Sequence, residues 1–193
     1  MALMQKLVDK WTAMGLREAL GKLNIICPGG KAEDQVEAIQ TLKKRYSHSI
    51  DIWKIIPEGP ANFIKSDDNV QFNCFMFCLD IRYGDIKELI GSNGMKIPNS
   101  DYMALLERNY LTEINWGSAV DGDYVLYFLD QKIVHAGKVK SGKVVSKWGN
   151  GHIWIHGVLE VPDSYGDHVK YYKRIEKAVC LKAFCEWISQ LDN

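Results

Sequence analysis

Cys74 and His135 are the two residues of this 193-residue chain whose types, contexts and order could together do chemistry. The cysteine lies in Phe72-Asn73-Cys74-Phe75-Met76-Phe77-Cys78-Leu79. The histidine follows about 60 residues later, in Lys132-Ile133-Val134-His135-Ala136-Gly137-Lys138-Val139. A thiol is a nucleophile only as the thiolate, and a helix start together with a nearby imidazole are common means of lowering its pKa. Taken singly, a cysteine in an apolar helix is by default a small core residue, and a histidine on an apolar strand face is by default a hydrogen-bonded one. Their combination, with the thiol first and the imidazole on a later β-hairpin, predicts a cysteine hydrolase with Cys74 as the only strongly nucleophilic thiol of the five.

The elements that must position this pair follow from periodicity. Residues 72–81 are apolar on nearly every side, as expected of a helix buried in a core. Asp67-Asp68-Asn69 offers N-cap chemistry ahead of it, and Asn73 is a second candidate cap that would place Cys74 in the first turn. Ser100 or Asp101 caps a further helix over about 102–110. From residue 121 the character turns to β. Asp121-Gly122-Asp123 is a turn, 124–129 a buried strand, 132–140 an alternating strand, 143–148 its partner after Ser141-Gly142, 153–161 a further strand, and 169–175 the last one. A closing helix covers 176–191.

Upstream, Leu3, Leu7, Trp11, Met14, Leu16 and Leu20 predict a helix that Gly21 could end, and Cys27-Pro28-Gly29-Gly30 breaks the chain. Val36, Ile39, Leu42 and Tyr46 predict a second helix over about 31–47, and 50–56 reads as a short strand stopped by Pro57-Glu58-Gly59-Pro60. Residues 1–60 carry amphipathic helices and no chemical constellation. They are expected to form a helical N-terminal extension that shapes a groove or docks a protein partner, with residues 61–193 as the core.

Strand alternation places Ile133, His135, Gly137 and Val139 on one face of their strand and the lysines on the other. With Ser141-Gly142 as a two-residue loop, Lys140 pairs with Lys143, Val139 with Val144, Gly137 with Ser146 and His135 with Trp148. Ser146 then shares the face of His135 and Lys147 faces away; a three-residue loop would exchange them. Ser146 and, one strand further on, His156 are the candidates for a third site residue. Asn73, Trp116 and Trp148 are candidates for lining a substrate groove.

Asn-Cys opening a buried helix, Gly122-Asp123-Tyr124-Val125-Leu126-Tyr127 leading into a strand, and His135-Ala136-Gly137 on the next strand resemble the core of NlpC-like, papain-fold cysteine peptidases and amidases. Ser146-Lys147-Trp148-Gly149, His156 and Tyr165-Gly166 resemble a poorly characterised bacterial branch of that superfamily. The resemblance covers about residues 70–175. It implies an α+β fold in which the Cys-bearing helix packs on an antiparallel meander, with Cys74 as nucleophile, His135 as general base and a polar residue orienting the imidazole. The chain departs from the family in lacking Asp-Cys-Ser-Gly at the helix start, and in carrying Ser146-Lys147 where a His, Asn or Gln is usual. A non-catalytic binding module on the same fold and a thiol acyltransferase are the rival readings.

Composition narrows the remaining classes. Lys+Arg and Asp+Glu both total 24, so net charge gives no case for nucleic acid or an anionic membrane as partner. The apolar runs fall short of the roughly 20 residues that span a bilayer, and charges interrupt the first ten residues where a secretory signal would be apolar. A cytoplasmic location, or export without a cleaved signal, is the expectation. The five cysteines lack paired metal-type spacing. His152 and His156 would share a strand face about 13 Å apart, too far to hold one metal. No cofactor or metal is expected; the substrate would be a peptide or a small amide.

Overall fold

A computed structural model describes residues 15–22, 36, 39–40, 42–43, 53–54, 73–90, 96–149 and 152–191. The expected breaks at Cys27-Pro28-Gly29-Gly30 and Pro57-Glu58-Gly59-Pro60, the Asp67-Asp68-Asn69 cap and the start of the first helix lie outside these residues. The fold is α+β. Seven strands, β1 (Trp53–Lys54), β2 (Glu113–Ile114), β3 (Tyr124–Leu129), β4 (Lys132–Lys140), β5 (Lys143–Lys147), β6 (Ile153–His156) and β7 (His168–Tyr172), form one sheet in the order β1-β6-β5-β4-β3-β7-β2. All its pairings are antiparallel.

Each face of the sheet carries its own core. On one face lie α1 (Cys74–Cys78), α2 (Tyr83–Ile90), α3 (Ser100–Tyr110) and α4 (Lys177–Leu191). Phe75, Met76, Cys78, Ile86, Tyr102, Leu106, Phe184 and Trp187 pack there on Tyr124, Leu126, Phe128, Ile133 and Ala136. Tyr102 meets Phe184 edge-on at 5.4 Å, a favoured geometry for aromatic pairs, and its hydroxyl donates to the Cys180 carbonyl at 2.8 Å. On the other face Val125, Tyr127, Val139 and Val144 meet Leu16, Leu20 and Ile39 with Trp148, Trp154, Val161 and Tyr165. The helical stretch 15–22 is therefore buried against the sheet, and β1 adds a strand to its edge. The helix expected over 72–81 is confined to α1, and the strand expected over 153–161 to β6. Neither α2 nor β2 was expected from periodicity.

Two tight hairpins bracket β4. Asp130 and Gln131 have φ of 48° and 67°, and Ser141 and Gly142 have 50° and 72°, the paired positive φ of the two-residue turns that match strand twist. The second hairpin sets Lys140 opposite Lys143, Val139 opposite Val144 and Gly137 opposite Ser146, the register expected from the sequence. The first sets Phe128 opposite Ile133, yet Tyr127 lies opposite His135. Val134 is thus an extra residue on β4, a bulge that absorbs a one-residue phase difference between the hairpins. Because side chains alternate with period two, the bulge moves Ile133 onto the helix face and leaves His135, Gly137 and Val139 on the other. The expected sharing of one face by Ile133 and His135 is corrected accordingly.

Candidate functional site

Cys74 is the first residue of α1. Asn73 caps the helix: its Oδ1 accepts the Met76 N–H at 2.9 Å, and its Nδ2 donates to the Pro98 carbonyl at 2.7 Å. Both ends of the amide are thus engaged in holding the helix start, a structural role for a residue expected at the substrate. The short helix lies on the centre of the sheet, where the Cys78 thiol donates to the Gly137 carbonyl at 3.1 Å. Cys74 itself is half-buried against the helix-side core. Desolvation pushes its thiol up to about 11, opposed by the backbone N–H groups of Ala136, Cys74 and Phe75 and by the charge of Lys147. The sequence predicts a lowered thiol pKa; burial reverses the direction.

His135 does not stand beside Cys74. Its cross-strand partner Tyr127 and its stacking partner Tyr165, whose ring lies 3.8 Å away at an angle of 12°, both belong to the core on the opposite face. The sheet therefore separates imidazole from thiol, because α1 lies on the face opposite the one that His135 shares with Gly137 and Val139. His135 is 1 % exposed and its Nε2 has no hydrogen-bond partner. Burial, and secondarily the charge that His156 would carry, hold its pKa well below the usual imidazole value. It stays neutral as a packed aromatic ring.

Ser146 and His156 do meet, on that same face. The Gly157 carbonyl 2.8 Å from His156 Nδ1 can only accept, so Nδ1 carries the proton and Nε2 is the acceptor. The Ser146 hydroxyl then donates to Nε2 at 2.8 Å and accepts the Trp148 indole N–H at 3.0 Å. Desolvation pulls His156 down to about 4, the Gly157 carbonyl opposing it. Ser146, expected to orient His135, orients His156 instead. Trp148, expected in a groove, is buried among Trp154, His156 and Tyr165. Ser146, Trp148 and His156 are all buried, so this hydrogen-bond chain orders β5 and β6. Ser146→Ala would strand two buried ring nitrogens, and an orphaned buried donor or acceptor costs about 1–3 kcal/mol. A loss of about 2 kcal/mol is expected in urea unfolding at pH 7; an unchanged midpoint would show that water replaces the hydroxyl.

Of the other expected groove residues, Trp116 is 40 % exposed and leans on Tyr171 of β7 at 5.0 Å, toward the β2 end of the sheet rather than beside Cys74. A recess of about 370 Å³ opens among Asp101, Leu105, Arg108, Asn109, Trp187 and Gln190, on α3 and α4. Sequence reasoning passed over Lys147. It ends β5, one residue beyond Ser146 and therefore on the helix face, and it is 6 % exposed. Desolvation lowers it to about 8, with the charge that Cys74 would carry as a thiolate pulling it the other way. The available signal was a lysine predicted to oppose Ser146 on a strand buried on both faces. Among the described residues no cluster of His, Cys, Asp or Glu could hold a metal, and no helix is long and apolar enough to cross a membrane. No family model, curated protein or solved structure matches the chain.

Proposed function

We propose that the chain is a papain-like cysteine hydrolase, NlpC-like in its core, that opens an amide bond through Cys74. The observation that supports this reading is the placement of one thiol: Cys74 starts a capped helix packed on the central strands, so the N–H groups of the helix's first turn lie beside its side chain. Amides held in that arrangement also suit the oxyanion that forms when sulfur adds to a carbonyl carbon. An acyltransferase would run the same first step and pass the acyl group to an amine or hydroxyl in place of water.

A non-catalytic binding module is the second reading, favoured by the position of His135 across the sheet and by the burial that keeps the thiol protonated. Mass mapping after brief exposure to p-nitrophenyl acetate separates the two. Acetylation of Cys74 with release of nitrophenolate, abolished in Cys74→Ala, is expected of the hydrolase. Acetyl groups confined to exposed lysines or to Cys185 would favour the binding module.

A further inference from the structure

Resting on the assignment of Cys74 as nucleophile, we propose that Lys147, and not His135, is the group that takes and returns the proton of the Cys74 thiol. Sheet register gives the first support. Gly137 pairs with Ser146 on the His135 face, so Lys147 must project from the other face, the one on which α1 lies. A side chain is excluded at Gly137 itself, where a Cβ would stand 2.7 Å from Val144 Cγ1 and 2.8 Å from the Val145 carbonyl oxygen. That close approach holds β5 tightly against β4 at this level.

Burial gives the second support. Lysine is among the residues least often buried, yet Lys147 is almost wholly enclosed, with its Nζ donating to the Gly149 carbonyl at 2.6 Å. The Lys138 ammonium, on the same face of β4, is paired with Asp80 at 2.5 Å and lies 4.9 Å from the Phe77 ring. Lys138 bears on Cys78, whereas the charge felt by the Cys74 thiol is that of Lys147. Desolvation brings Lys147 down to about 8, leaving an appreciable neutral fraction near neutral pH.

The step balances on these groups. The lone pair of neutral Nζ takes the proton from Sγ as sulfur bonds the carbonyl carbon. The carbon–nitrogen bond of the amide then breaks, and the Nζ proton goes to the departing amine. Water adds to the thioester, the carbon–sulfur bond breaks to release the acid, and the thiol regains its proton.

Two measurements on the full chain test the assignment. With p-nitrophenyl acetate, acylation of Cys74 should rise with pH through an inflection near 8, and Lys147→Arg should slow it at least tenfold and remove that inflection. With iodoacetamide, which needs the thiolate but no proton return, the alkylation midpoint of Cys74 should stay in Lys147→Met, because Lys147 is already neutral where the thiol ionises, and move to lower pH in Lys147→Arg, whose charge persists there. Lys138→Met should leave both unchanged, and circular dichroism would confirm that each variant folds. Acylation at the wild-type rate and pH profile in Lys147→Arg would overturn the proposal. So would acylation lost in His135→Gln and kept in Lys147→Arg. An unshifted alkylation midpoint in Lys147→Arg overturns it even if p-nitrophenyl acetate never acylates Cys74, an outcome that would by itself sink only the hydrolase reading.

Discussion

Between pH 6.5 and 4 the folded protein is expected to lose about 3 kcal/mol of stability through His156 alone, with His135 adding in the same direction. Both imidazoles are buried and neutral, with pKa values below the ordinary imidazole value of 6.5. In this window the unfolded chain binds protons that the folded one refuses, so stability is intact above about 6.5 and falls as the pH drops toward 4. Acid loss from carboxylates lies lower: Asp123 is held below its ordinary 3.8 by the N–H groups of Val120 and Arg174 and by Lys173, so its contribution disappears only in stronger acid. Urea midpoints collected from pH 7 to pH 4 would show the histidine limb directly. His135→Phe, which keeps a ring against Tyr165 and removes the titration, should flatten part of it. A stability constant from pH 6.5 to 4 would mean that the two rings are hydrated and that the core under Tyr165 is not dry.

That core also explains which parts of the site were legible beforehand. The Ser141-Gly142 hairpin was readable because a two-residue loop with positive φ at both positions fixes the pairing arithmetic, and Ser146 fell on the His135 face as that arithmetic requires. The Val134 bulge was not readable. Alternation in Ile133, His135, Gly137 and Val139 looks unbroken in the sequence, and only the conflict between two hairpin registers shows that one residue must be left over. The bulge therefore parted Ile133 from His135, and the position of α1 on the other face parted the imidazole from the thiol. Lys147 was correctly set opposite Ser146 and then discounted, because nothing in the sequence states on which face α1 will lie. Similarly, α2 was invisible: Tyr83-Gly84-Asp85 begins it with a glycine and a charge, and Ile86 is the residue it sinks into the core.

Gly166→Ala is expected to cost more than about 3 kcal/mol, with a drop in Tm of about 10 °C at the 2–4 °C per kcal/mol typical of chains this long. Gly166 has φ 88° and ψ 162°, a region essentially closed to side-chain-bearing residues, where forcing one costs about 1–3 kcal/mol. Steric overlap comes on top. A Cβ there would stand 2.2 Å from the Phe128 carbonyl oxygen and 2.4 Å from its carbon, backbone atoms of a central strand that cannot step aside. The same glycine's carbonyl receives the buried guanidinium of Arg17, which ties the helical stretch 15–22 to this turn. Its neighbour Tyr165 covers His135. Moving the turn should therefore loosen three things at once: the N-terminal packing, the lid over His135 and the start of β7. Gly84→Ala is the reference, since a Cβ there meets nothing within 4 Å, and in a helix the change should stabilise by up to about 1 kcal/mol. The specific consequence is on pH dependence. With Tyr165 displaced, His135 gains water and protonates closer to its ordinary pKa, so the variant's acid limb should be shallower than that of the parent. Equal stability of Gly166→Ala and the parent protein would contradict the backbone geometry on which the Tyr165 stack depends.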